Sequence, residues 1–281
     1  MRINIVCTDE GWIYSKFVDM FRKYSKHSIE LNGSGKFDVN HYIPYYEVPK
    51  KPLRPCTAWF SHMETRKDLR NKFVSAAKIV DVAISHSKKY ADILKNEFGI
   101  KGVRQVIPGV DLDQFNIRKK DREPNEKLIV GYVGRQYTSS NRKNPQLLKQ
   151  ISELPFVEFR TTGGGMKDKD IPSFYEGLDL VISPATIEGG PMCFQESLAV
   201  GVPVICFDGV GVADEFAHGL IKVPYGNNKD FLSRLEIIHK TKSYLDWRDA
   251  GRMAQMRAQV KDQTWKRFVL LHDYIWETLC V

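Results

Sequence analysis

The chain has 281 residues, of which 42% are hydrophobic and 27% charged, the balance of an ordinary folded protein with room for two compact α/β domains. Its formal net charge is +8. No apolar run reaches the length of a membrane span, and "MRINIVCTDEGW" is too short and too acidic for a secretory signal, so the expectation is a cytoplasmic protein. The five cysteines (Cys7, Cys56, Cys193, Cys206 and Cys280) are odd in number and scattered, which argues for reduced thiols and against a disulfide framework or a zinc site.

"RINIVC" (Arg2–Cys7) predicts a buried opening strand. Ile13, Phe17, Met20, Phe21 and Tyr24 then share one helical face, with Asp9, Glu10 and Gly11 in the intervening turn. Residues 28–55, with several prolines, predict short strands and turns. "TAWFSHMET" (Thr57–Thr65) predicts a strand ending in a polar loop that carries His62, followed by the basic helix "RKDLRNKFVSAAKIV". "DVAISHS" predicts a strand and "KKYADILKNEFG" a helix closed by Gly99. "NIRKKDREPNEK" (Asn116–Lys127) is polar, contains proline and lacks periodicity, as a linker does. Residues 1–120 hold 22 Lys+Arg against 13 Asp+Glu, and the remainder 20 against 21. All the positive excess therefore lies in the first part, which favours an acidic partner there.

Beyond the linker, "LIVGYVGR" predicts a strand running into Gly134 and Arg135, and a cation-rich loop with Arg142 and Lys143 follows. "VEFRTTGGG" (Val157–Gly165) predicts a strand and a glycine turn that includes Gly164. "LDLVISPA" (Leu178–Ala185) predicts a buried parallel strand. After it Pro191 suits a first helical position, Phe194, Leu198 and Ala199 follow at helical spacing, Gly201 ends the helix, and "VPVICFD" starts the next strand. Ligands of open α/β sheets sit at the carboxyl ends of such strands. Gly189 and Gly190 allow close backbone approach, and the N–H groups around Met192 and Cys193 suit an anion. Glu188 before that site and Glu196 beyond it can accept hydrogen bonds from hydroxyls. An anion flanked by two polyols fits this stretch, and a sugar–diphosphate–nucleoside has that form.

"ISPATIEGGPMCFQESLAVGVPVI", with Glu188 and Glu196 in glutamate–x7–glutamate spacing, resembles the signature of retaining GT-B glycosyltransferases of family GT4. "VRQVIPGVDLDQF" (Val103–Phe115) resembles the phrase that closes the first GT-B domain, and "QTWKRFVLLHDYIWETL" (Gln263–Leu279) the terminal helix. The resemblance implies two Rossmann-like parallel-sheet α/β domains facing each other across a cleft. An acceptor domain would span 1–117, a donor domain 118–263, and a helix over 264–281 would cross back onto the first, burying Trp265, Phe268, Leu271 and Ile275.

It further implies that Arg135 and Lys143, with Arg142 as an adjacent candidate, grip the donor diphosphate. Glu188 would orient the donor sugar, Glu196 the ribose, and His62 the sugar as well. Gly11, Gly164, Gly189, Gly190, Pro191, Met192 and Cys193 would contribute substrate-binding backbone. No metal motif is visible, so the expectation is sugar transfer with no cofactor and no metal, from a UDP-, GDP- or ADP-sugar.

The basic first part suits an anionic acceptor such as a lipid-linked saccharide or polysaccharide precursor, with peripheral membrane contact, or a modified DNA base of the phage type. A non-catalytic sugar-nucleotide or nucleic-acid binding module would explain the charge but leaves the paired glutamates without a purpose. A GT-B epimerase or phosphorylase is disfavoured by the GT4-type signature.

Overall fold

A computed structural model describes residues 1–8, 13–118, 126–135 and 141–280. The chain divides into two units, the first made of Met1–Gly109 with Gln263–Val281, the second of Val110–Asp262.

The first unit is built on β1 (Arg2–Val6), β2 (Ser28–Leu31), β3 (Val39–Tyr42), β4 (Cys56–Phe60), β5 (Val82–Ser85) and β6 (Val103–Gln105). They form one sheet in the order β2-β1-β3-β4-β5-β6, and every pairing is parallel. Helices α1 (Ile13–Tyr24), α2 (Lys67–Ile79) and the short α3 (Lys88–Asp92) join the strands. All five residues of β4 are buried, because helices cover both sides of a parallel sheet. Their side chains alternate. Cys56, Ala58 and Phe60 enter a core with Phe73, Ala76 and Ala77 of α2. Trp59 faces the other way, with ring centroids 5.4 Å from Phe17 of α1.

The last helix, α9 (Trp265–Thr278), belongs to this unit. Asp273 accepts from Ser25 Oγ at 2.6 Å and from the Lys26 amide at 3.1 Å, so it fastens α9 to the segment that follows α1. Trp276 Nε1 donates to Thr57 Oγ1 at 3.2 Å. The buried face consists of Trp265, Phe268, Val269, His272, Asp273, Ile275 and Trp276. Leu271, expected in it, is 38% exposed. The burial stripe runs through 265, 268, 272 and 276, and residue 271 falls on its solvent side.

The second unit is built on β7 (Leu128–Tyr132), β8 (Val157–Thr161), β9 (Leu180–Ser183), β10 (Val204–Phe207) and β11 (Leu220–Val223), all parallel in the order β11-β10-β9-β7-β8. One face is covered by α5 (Ile171–Glu176), α6 (Cys193–Val200) and α8 (Ala250–Val260), around Tyr175, Phe194, Leu198 and Met256. The other is covered by α4 (Pro145–Ser152) and α7 (Asn228–Thr241), around Leu147, Ile151, Phe231 and Leu235.

The units divide ahead of the polar linker. Arg118 Nη1 donates to the Leu178 carbonyl at 2.7 Å, Arg257 Nη2 donates to that of Leu112 at 2.7 Å, and the Phe115 ring lies 5.9 Å from that of Tyr175. These contacts tie residues 110–118 into the second unit. Linker residues 119–125 lie outside the described residues.

Candidate active site

In the second sheet β7 connects to β8 on one side, whereas its other neighbour, β9, connects away from it to β10. The carboxyl ends of β7 and β9 therefore flank the point where strand order reverses, where open α/β sheets take their ligands. The loop after β7 carries Arg135, Arg142 and Lys143, and the loop after β9 carries Glu188 to Met192.

These two loops are joined backbone to backbone. The Thr186 amide donates to the Arg142 carbonyl at 2.8 Å, and Tyr225 Oη donates to the Thr186 carbonyl at 3.1 Å. Asn144, in a left-handed conformation, caps α4 through its side-chain oxygen and donates Nδ2 to Asn228 Oδ1 at 2.8 Å. The cationic segment is thus held from both sides.

Within this frame Lys143 Nζ donates to Glu188 Oε1, and Arg142 Nη1 donates to the same oxygen at 3.0 Å. The three side chains are only 9–14% exposed, so the charges meet where water screens them little. Burial, and then the adjacent Arg142 guanidinium, push Lys143 below the ordinary lysine range, to about 8. The contact with Glu188 opposes that shift by favouring the ammonium form.

Arg135 is the third cation of this loop. It is exposed and lies against the glycine turn after β8, where a Cβ on Gly164 would come within 2.1 Å of Arg135 Cγ. Gly164 also has φ +77°, so a side chain there is barred by both space and backbone conformation. The Tyr132 hydroxyl donates to the Arg135 carbonyl at 3.2 Å. Arg142 is the arginine that shares Glu188 with Lys143.

Helix α6 begins at Cys193 with Met192 as its cap residue, so Pro191 stands ahead of the helix and not at its first position. The Phe194 amide donates to the Pro191 carbonyl at 3.1 Å, a tight turn that delays the regular helix. The helix ends at Gly201 with φ 83°, as expected. Gly189 is buried, Gly190, Pro191 and Met192 are half-buried, and Gly211 packs on the backbone of Glu188 and Gly189. Cys193 is buried, and desolvation pushes its thiol up to about 12, so it stays protonated near neutrality. Glu196, in the first turn of α6, is 7% exposed and accepts from the Tyr175 hydroxyl at 2.9 Å. Helical spacing indicates that Tyr175 is buried, but no sequence signal marks this bond between α5 and α6.

The first unit has its own reversal between β1 and β3. Thr8 Oγ1 donates to Glu47, joining the segments after these strands; Gly11 lies outside the described residues. After β4, His62 Nδ1 lies 3.1 Å from Ser61 Oγ and Nε2 lies 3.0 Å from Glu64 Oε1. The ring is thereby fixed at both nitrogens. Among the described residues no group of three or more His, Cys, Asp or Glu side chains is arranged to hold a metal ion, and no described helix is long and apolar enough to cross a membrane.

Residues 116–253 match the family model described as glycosyl transferases group 1. The comparison with curated protein sequences finds no match. Among solved structures, the chain is similar to sucrose-phosphate synthase from Thermosynechococcus elongatus, with TM-score 0.76, 11% identity and 99% of each chain covered. It is also similar to Anabaena HepE in complex with UDP, at TM-score 0.70, 13% identity and 99% of each chain. The lipopolysaccharide outer core galactosyltransferase WaaB matches at TM-score 0.67 and 11% identity, over 99% of this chain and 100% of that one. At such identities the likeness is one of fold, and that fold is GT-B. The chain has the GT-B fold, and its similarity to the glycosyl transferases group 1 model falls within the second unit.

Proposed function

We propose that the protein is a retaining, metal-independent glycosyltransferase of the GT4 type that moves a sugar from a nucleoside diphosphate sugar to an acceptor. The carrying observation is the cluster of Arg142, Lys143 and Glu188 on the two loops at the strand-order reversal, with Glu196 close behind on α6. In this reading Arg142 and Lys143 hold the diphosphate together with the N-terminal end of α6, and Arg135 supports it from the margin. Glu188 takes hydroxyls of the donor sugar and Glu196 those of the ribose. His62, oriented by Ser61 and Glu64, is assigned to the donor sugar.

In the transfer step the bond from the anomeric carbon to the leaving phosphate oxygen breaks. The acceptor oxygen bonds to the same face of that carbon, and its proton passes to the departing phosphate. No side-chain nucleophile is assigned, and Cys193 is protonated. The negative charge that grows on the leaving diphosphate is met by Arg142 and Lys143, cations held in a poorly hydrated place, which is the role a divalent cation fills in other designs. Metal independence rests on that supply of charge.

HepE has been solved with UDP and with UDP-glucose, which makes uridine diphosphate the first donor nucleotide to test, with GDP and ADP beside it. For the acceptor, the basic excess of residues 1–120 supports an anionic one. WaaB's description as a lipopolysaccharide outer core galactosyltransferase favours a lipid-linked saccharide over DNA, with contact at a membrane surface.

The deciding experiment is a thermal-shift series with UDP, GDP, ADP and their sugar conjugates, set against the free nucleosides. A ligand that binds only the folded form raises the melting temperature by mass action. One diphosphate should raise it well above its nucleoside. Absence of a shift with every nucleoside diphosphate and every sugar conjugate would overturn the reading.

A further inference from the structure

Tyr175 is fully buried on α5, in the core that also holds Cys193, Phe194 and Leu198 of α6. Packing alone asks only for its ring, which meets Phe115 edge-on at 5.9 Å. A phenylalanine would supply that ring without the cost of burying a hydroxyl. The hydroxyl finds its partner in Glu196, donating to Oε2 at 2.9 Å. Burial, and then the charge of Glu196, hold Tyr175 well above the ordinary tyrosine range, so this hydroxyl is a permanent donor. A carboxylate on an α-helix can turn about its last torsion, and that torsion is broad and weakly biased. A fixed donor on one oxygen selects one plane of the group, and a carboxylate can accept from several donors at once.

We propose that Tyr175 is a positioning residue that sets the plane of the Glu196 carboxylate to receive the vicinal hydroxyls of a ribose, so that the protein distinguishes ribonucleotides from 2′-deoxyribonucleotides. This rests on the assignment of Glu196 to the donor ribose. The chain from Phe115 through Tyr175 to Glu196 lies wholly in the second unit.

The test measures Kd for the tightest binder among UDP, GDP and ADP, and for its 2′-deoxy counterpart, on the full chain and on Tyr175→Phe and Glu196→Gln. A hydrogen bond to a charged group supports a ribo-over-deoxy preference of roughly tenfold or more in the unaltered protein. Glu196→Gln should abolish that preference, and Tyr175→Phe should cut it to less than about threefold with the melting temperature largely kept. A merely structural tyrosine would weaken both ligands alike and leave the ratio unchanged, which overturns the proposal. Loss of folding in Tyr175→Phe while Glu196→Gln folds overturns it too, since the hydroxyl would then serve the core. If the unaltered protein shows no preference and Glu196→Gln changes nothing, the ribose assignment of Glu196 fails first and the proposal with it.

Discussion

Lys143 and Glu188, carried on loops that follow two different strands, meet as a buried ion pair on one carboxylate oxygen, and Arg142 completes the cluster at 3.0 Å. Two cations share one carboxylate in a site with little water, where charge–charge contacts are strong.

Replacing Glu188 with glutamine keeps the shape and removes the charge that compensates both cations. Leaving such a pair broken costs on the order of 3 kcal/mol, so the ligand-free variant should melt several degrees lower. Added nucleoside diphosphate, supplying the missing anion, should raise the melting temperature more than it does in the unaltered protein. Transfer should fall on the order of a hundredfold in kcat. Unchanged turnover would remove Glu188 from the donor site.

Arg142→Ala and Lys143→Ala should each weaken UDP binding far more than uridine binding, because the attraction lost is to phosphate. Arg135→Ala should have a smaller effect, since this side chain is exposed and screened. Titration calorimetry with both ligands separates these cases. Equal weakening of UDP and uridine would point to damage to the unit as a whole. UDP binding should persist in EDTA.

The depressed value of Lys143, about 8, gives the site a proton signature. Between that value and the ordinary lysine value the unfolded chain holds a proton that the folded chain does not. The penalty for folding is therefore present below pH 8 and relieved as pH rises. Binding has the opposite sign, because a bound diphosphate restores the ammonium form. At pH 8.5 calorimetry in buffers of different ionisation enthalpy should register uptake of roughly half a proton or more per UDP, and much less at pH 7. Lys143→Arg should abolish the uptake.

Acid should act on the other unit. His272, bonded through Nδ1 to the Phe268 carbonyl, is held by burial at about 4. His41, 2.7 Å from Thr57 Oγ1, is held well below the ordinary value by burial and then by His272. Aromatic rings of Phe21 and Trp276 surround both. Both values lie below those of the unfolded chain, so the stability they confer is full above pH 6.5 and declines as pH falls toward 4. Melting curves across that window should show the decline, and His272→Gln should flatten it.

Salt tests the acceptor assignment. Arg66 is already engaged by Asp68 in a two-pronged pair, so the informative neutralisation is Lys67, Arg70 and Lys72 together on α2. If these meet an anionic lipid-linked saccharide, vesicle binding should fall steeply with ionic strength and in the triple variant, with UDP binding unchanged. Salt-insensitive acceptor use would leave α2 a solvated face.

Much of this architecture is legible in the order of residues alone, because parallel strands read as short apolar runs and the loop after β9 combines glycine, proline and two spaced carboxylates. The features that are not legible there depend on three-dimensional partners. Leu271 has the spacing of a buried residue on α9, but the packed stripe passes beside it. Arg142 is one of several cations in its loop, and the Thr186–Arg142 backbone bond that brings it to Glu188 has no mark in the sequence. Tyr175 and Glu196 are joined across a helix pair, and such a bond has no sequence periodicity to announce it.

The return of residues 263–281 to the first unit has a consequence for how the protein is made. The second unit is one continuous segment and can close as soon as Asp262 is available. The first unit, although begun earlier, lacks Trp265, Phe268 and Trp276 until residues 263–281 appear, and until then Phe17, Phe21 and Trp59 lack these ring contacts. The usual order of co-translational folding, amino-terminal domain first, is thereby inverted, and a chain stopped before α9 would be left with an open aromatic surface.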